Sequence, residues 1–84
     1  MNTENPLLKN LNKLHTTELG ELRIKTNLSL TTENAVEWCK SEIRSPGTAI
    51  TKNGKNWYAD TGSCIITINS HSYTIITAHK KERR

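Results

Sequence analysis

The period of the apolar residues changes once along the chain, near residue 48, from helical spacing to alternation. Leu7, Leu8, Leu11 and Leu14 recur at helical spacing behind Asn5-Pro6, an N-cap residue followed by proline at the first helical position, and predict a helix over 6–14. Thr16 or Thr17 caps a second helix over 17–27, with Glu18 and Glu21 in the turns where the dipole favours acid. Its Leu19, Leu22, Ile24 and Leu28 do not fall in one stripe, which predicts contact on more than one side. Thr31 or Thr32 caps a third helix over 32–44, whose Val36, Cys39 and Ile43 share an apolar face beside Ala35 and Trp38. Ser45-Pro-Gly47 ends it.

Turn signals at Asn53-Gly54, Thr61-Gly62 and Asn69-Ser70-His71 then divide four strands, over 48–52, 55–60, 63–69 and 72–80. A two-residue turn at Asn53-Gly54 sets Ile50 opposite Trp57, and one at Thr61-Gly62 sets Trp57 opposite Ile66 and Ala59 opposite Cys64. A turn centred on Ser70-His71 pairs Ile68 with Tyr73, Ile66 with Ile75 and Cys64 with Thr77. These registers agree on one apolar face, Ile50, Trp57, Ala59, Cys64, Ile66, Ile68, Tyr73 and Ile75, and extend it to His79 at the end of the last strand. The other face, from Thr51 and Tyr58 to Thr67, Ile76 and Ala78, is rich in threonine. The expected fold is α+β, three N-terminal helices packed on one face of a four-stranded antiparallel meander. One domain spans 1–84, with frayed ends at 1–5 and 81–84.

Composition narrows the class. At 84 residues without phenylalanine, one small core must be built from Leu, Ile, Trp and Tyr. No apolar run reaches membrane-spanning length and the polar start Met-Asn-Thr-Glu-Asn is no secretory signal, which points to a cytoplasmic protein and no membrane partner. Cys39 and Cys64 then read as reduced, buried residues. With three scattered histidines they lack metal-site spacing, so no metal or other cofactor is expected. Basic and acidic side chains balance over 1–44, so the net +4 belongs to the strand half, through Lys52, Lys55, Lys80, Lys81, Arg83 and Arg84. That half either faces a polyanion or ends in a solvated basic tail.

No phosphate-binding glycine loop, dinucleotide fingerprint, His-Glu-x-x-His or nucleophile elbow is present, and Asp60 is the only aspartate. The remaining chemistry is histidine with cations, the inventory that metal-independent RNA cleavage uses: a base for the 2′-hydroxyl proton, an acid for the leaving oxygen, and positive charge on the phosphate. His15 and His79 are the proton-transfer candidates, with Arg23 on the phosphate and Thr77 as a positioning hydroxyl. Lys55, Lys80, Tyr58 and His71 are the substrate-binding candidates, Tyr58 as a stacking surface. Each has a plain structural reading: snorkelling for Arg23, a loop residue for His71, ordinary strand composition for Tyr58.

Leu14-His-Thr-Thr-Glu-Leu-Gly20, Arg23-Ile24, Asn27-Leu28, Trp38-Cys39, Asn56-Trp-Tyr58 and Ser72-Tyr-Thr-Ile-Ile-Thr-Ala-His-Lys80 resemble a family of small uncharacterised bacterial proteins over nearly the whole chain. More distantly, helices followed by a meander that closes on Ile-Ile-Thr-Ala-His79 are similar to the barnase–EndoU–colicin–RelE superfamily of RNases and toxins. That likeness implies a site role for Thr77 and His79, with His15 as a helical partner. The function expected is a small metal-independent RNase or RNase-like toxin. The alternatives are a non-catalytic protein-binding module or inhibitor of mobile-element or anti-defence type, and RNA binding without cleavage.

Overall fold

A computed structural model describes residues 6–81. The elements run α1 (Pro6–Lys9), a 3₁₀ turn (Leu11–Lys13), α2 (Glu18–Leu28), α3 (Ala35–Arg44), β1 (Ala49–Asn53), β2 (Asn56–Asp60), β3 (Cys64–Asn69) and β4 (Ile75–Lys80). The fold is α+β, and the antiparallel sheet has the meander order β1-β2-β3-β4. The capping role expected of Asn5 and the frayed ends at 1–5 and 82–84 lie outside the described residues. Lys81, expected to fray, instead donates its N–H to Ser63 O and pairs with Asp60 at 3.1 Å.

The first helix is shorter than its leucine spacing predicts. Asn10 turns its side chain back to donate to Pro6 O at 2.9 Å and leaves helical geometry, so the chain tightens into one 3₁₀ turn. Leu14 is then extended, and His15 forms a parallel bridge with Thr74. Thr17 caps α2 by accepting from Gly20 N at 3.0 Å. Ser29, left-handed at φ 56, ends it. The third helix starts later than expected because Asn34, rather than Thr31 or Thr32, accepts from Glu37 N. Thr32 instead accepts from Asn34 N in the turn before it.

The first two hairpins differ from the expected registers by two residues. Asn53 pairs with Asn56 around Gly54-Lys55, with Gly54 at φ 67, so Ile50 faces Ala59. Thr61 N–H bonds Cys64 O around Gly62-Ser63, and Trp57 faces Ile68. An even slip keeps every side chain on its face. The third hairpin does not slip evenly. Asn69 Oδ1 accepts from His71 N and Ser72 N, and Tyr73 takes a left-handed φ of 60 instead of entering the strand. A bulge between Thr67 and Ile68 then inserts Ile76: Ile68 faces Ile75, but Thr67 faces Thr77 and Ile66 faces Ala78. One extra residue reverses the faces of everything after it. Ala78, expected outside, is fully buried, and His79, expected to continue the inner face, is exposed opposite Ile65.

One core cluster joins Leu7, Leu14, Ile24, Leu28, Cys39 and Ile43 from the helical half to Trp57, Ile66, Ile68, Ile75 and Ala78 of the sheet. Fully burying a side chain such as Ile66, Ile68 or Ile75 contributes about 1.5–3 kcal/mol each. Along the outer side of β4, Ile75 N–H donates to His15 O, Thr16 Oγ1 donates to Ile75 O at 2.9 Å, and Asn27 Nδ2 donates to Ala78 O at 3.1 Å. The strand's open edge is therefore engaged by the 15–16 segment and by α2. Of the apolar residues of α2, Ile24 and Leu28 are buried, while Leu19 and Leu22 are exposed.

Candidate functional site

In a meander, alternate turns share an end, which brings the β1–β2 turn beside the β3–β4 turn. Ser70 N–H donates to Lys55 O at 2.8 Å and locks the two tips together. Beneath them lies an open cleft of about 480 Å³ lined by Pro6, Lys52, Gly54, Lys55, Trp57, Ser70, His71 and Tyr73. Its wall is aromatic. The Trp57 and Tyr73 rings stand 5.2 Å apart between centroids at 51°. Tyr73 is held from behind, with its hydroxyl accepting from Asn10 Nδ2 at 3.2 Å and Lys13 Nζ 5.6 Å from its ring centre.

Lys52 lies opposite Trp57 in the ladder and so emerges on the same face. Among the described residues neither Lys52 nor Lys55 forms an ion pair, and no carboxylate lines the cleft. The arrangement combines unneutralised positive charge, a histidine and two aromatic rings in one concavity. Chemically it is suited to an anion that also carries a flat ring.

Of the residues singled out in the sequence, Lys55 and His71 meet here. His15 sits at the same end of β4 but is already occupied. Its Nδ1 donates to Lys13 O at 2.9 Å, and its Nε2 lies 3.1 Å from Thr74 Oγ1. A carbonyl only accepts, so Nδ1 carries a proton, and Nε2 shares a hydrogen bond with the Thr74 hydroxyl. The hydroxyl chain continues from Thr74 to Ser72 Oγ at 2.7 Å, and Ser72 also reaches Asn69 Oδ1.

His79 and Lys80 lie at the other end of β4, opposite Ile65 and Cys64, both exposed. His79 is five residues beyond the Thr74 that His15 bridges, a separation on the order of 15 Å along a strand. Thr77 faces Thr67 on the outer face and lies 3.5 Å from Asn27 Nδ2. Tyr58 is half-buried on that face, also opposite Thr67. Arg23 is exposed on α2, without an ion pair among the described residues. His15, Arg23, Thr77 and His79 thus do not form one cluster with the cleft. Lys52, Trp57 and Tyr73 were not anticipated in it. A strand-end lysine next to an Asn-Gly turn was the available signal for Lys52.

Away from the cleft, Cys39 and Cys64 are free and buried, and burial pushes the Cys39 thiol up to about 12 and raises that of Cys64. Asp60 is held below the ordinary carboxylate range by the N–H of Gly62 and then by Lys81. Among the described residues, no three His, Cys, Asp or Glu side chains are grouped to hold a metal ion, and no helix is long and apolar enough to cross a membrane.

A family model described as "Protein of unknown function (DUF3781)" matches residues 8–79. The chain belongs to the DUF3781 family. The match covers α2, α3 and the whole sheet except Lys80, so the cleft of this DUF3781 chain is built almost wholly from family sequence. No curated protein and no solved structure matches the chain. The expected likeness to the barnase–EndoU–colicin–RelE superfamily finds no support in these comparisons.

Proposed function

We propose that this DUF3781 chain binds single-stranded RNA across the hairpin-tip cleft without cleaving it. The carrying observation is that Lys52, Lys55 and His71 line one cleft walled by Trp57 and Tyr73, and that among the described residues neither lysine forms an ion pair. Lys52 and Lys55 take backbone phosphates as point charges, and the aromatic wall receives a base or ribose. The net charge of +4 adds a favourable long-range field. In this reading the three helices, which share a core cluster with the sheet's inner side chains, cover that face and leave the tips open.

The expected RNase activity is the second reading, and one observation favours it: His71 and His15 lie at the same end of β4. Both nitrogens of His15 are engaged, so proton transfer there requires its bond to Thr74 to break. Non-cleaving binding asks for no such rearrangement and takes precedence.

Fluorescence anisotropy with a labelled single-stranded RNA in EDTA, followed by a gel of the same samples, separates the readings. Saturable binding of intact RNA that is lost in Lys52→Glu/Lys55→Glu supports the first. Cleavage that disappears in His71→Ala supports the second. No binding by wild type, or unchanged binding by the double variant, removes both.

A further inference from the structure

We propose that the hairpin-tip cleft recognises one nucleotide with a phosphate on each side, so that a free nucleoside 3′,5′-bisphosphate occupies it as an RNA strand does. This rests on the RNA-binding reading and names the unit of RNA that the site takes, a chemistry the strand and the free bisphosphate share. Of the two rings in the wall, Trp57 is 5% exposed and belongs to the core, whereas Tyr73 is half-buried and is the ring with surface to offer the cleft. One open ring stacks one base. The lysines that line the cleft are Lys52 and Lys55, both without an ion pair among the described residues. Two point charges take two phosphates. One base between two phosphates is one nucleotide with its flanking linkages.

The placement of these residues agrees with that count. Asn53 and Asn56 close the two-residue turn, so Lys52 stands on the ladder just before it, opposite Trp57, while Lys55 is in the turn itself. The two lysines thus border the cleft at different heights of one hairpin, and a phosphate on each leaves ribose and base between them. Tyr73 comes from the other hairpin, which the Ser70 N–H to Lys55 O bond of 2.8 Å holds beside the first. The ligand therefore bridges charges from one hairpin tip and a ring from the next.

The size of the cleft points the same way. Its volume of about 480 Å³ falls among pockets that enclose one small molecule, roughly 300–1,000 Å³. Sites that hold a longer strand instead line up successive aromatic rings along a basic groove, about 4–16 nucleotides for one OB fold. Among the described residues no second open ring lines this cleft. No carboxylate among them lines it either, so nothing there repels the higher charge that a terminal phosphate carries over an internal linkage.

Competition against a labelled single-stranded RNA, read by fluorescence anisotropy in EDTA on the full chain, tests this. Adenosine 3′,5′-bisphosphate is expected to displace the RNA, with adenosine 5′-monophosphate and then adenosine each weaker on the order of tenfold, one charged contact being lost at each step. An unlabelled strand of about twelve nucleotides should exceed the bisphosphate by no more than its number of registers, about tenfold. Amide NMR spectra titrated with the bisphosphate should shift at 52–57 and 70–73. In Lys52→Ala/Lys55→Ala, checked for folding by the same spectra, the bisphosphate should bind no better than adenosine. RNA that binds but is not displaced by the bisphosphate, a strand superior to it by far more than its registers, or shifts centred elsewhere overturns the one-nucleotide site and leaves RNA binding standing. So does a bisphosphate preference that survives in the lysine variant. A wild type that binds no RNA overturns the RNA-binding reading and the one-nucleotide site with it.

Discussion

β4 is an edge strand whose outward carbonyls are bonded by side chains, and that arrangement has a predictable energetic weight. Thr16 Oγ1 donates to Ile75 O at 2.9 Å and Asn27 Nδ2 donates to Ala78 O at 3.1 Å, both partly buried. Thr16→Val removes the first donor while nearly preserving shape, and Asn27→Ala removes the second. Each lost hydrogen bond costs about 1 kcal/mol, and the accepting carbonyls, three residues apart along the strand, are about 10 Å apart and independent. Alanine is the better helix former at position 27 by roughly 0.5 kcal/mol, which offsets part of the second loss. The double variant is therefore expected to be less stable by about 1.5 kcal/mol, a fall in Tm of about 6–12 °C for a domain this size. Thermal melts followed by circular dichroism, with urea unfolding beside them, measure this. A double variant as stable as wild type refutes the view that α2 and the 15–16 segment hold the edge of the sheet. So does a loss confined to one of the two single variants.

Three further outcomes follow from the local chemistry. Cys39, with its thiol pushed up to about 12 by burial, should not react with a thiol reagent in the native protein at neutral pH, and both cysteines should react in denaturant. Asp60 titrates below its ordinary 3.8, so its stabilisation is complete above that value and fades as pH falls through the lower folded one. Asp60→Asn should accordingly flatten the acid limb of a stability–pH profile and leave the alkaline limb unchanged. Thr17→Ala deprives Gly20 N–H of its acceptor and should cost about 1 kcal/mol in urea unfolding, with α2 otherwise intact.

The helical and strand halves of the fold were legible because period alone separates them, and the inner face from Ile50 to Ile75 survived errors in two turns. Those errors were even, and an even slip is silent in a face assignment. The bulge at Ile76 was not legible, because nothing local in Ser72–Lys80 announces an extra residue. It follows a turn in which Asn69 Oδ1 accepts from Ser72 N–H and Tyr73 is left-handed. That single residue moved Thr77 and His79 to the other face and with them the expected site. Alternation likewise identified Trp57 and Tyr73 as core residues but not as a wall, since whether a buried ring borders a cleft depends on which turns lie above it. The leucines of α2 are ambiguous for a related reason. Their scatter around the helix reads equally as contact on several sides or as one buried side and one open side.

The most direct test of RNA binding at the hairpin tips is the salt dependence of that binding. Two phosphates neutralised by Lys52 and Lys55 give a slope of log K against log [salt] of about −1.4 for a single strand, so affinity should fall about sevenfold between roughly 50 and 200 mM salt. Lys52→Ala/Lys55→Ala should bring that slope close to zero and weaken binding most at low salt. Equal slopes for wild type and the double variant would contradict the assignment of the cleft as the RNA site.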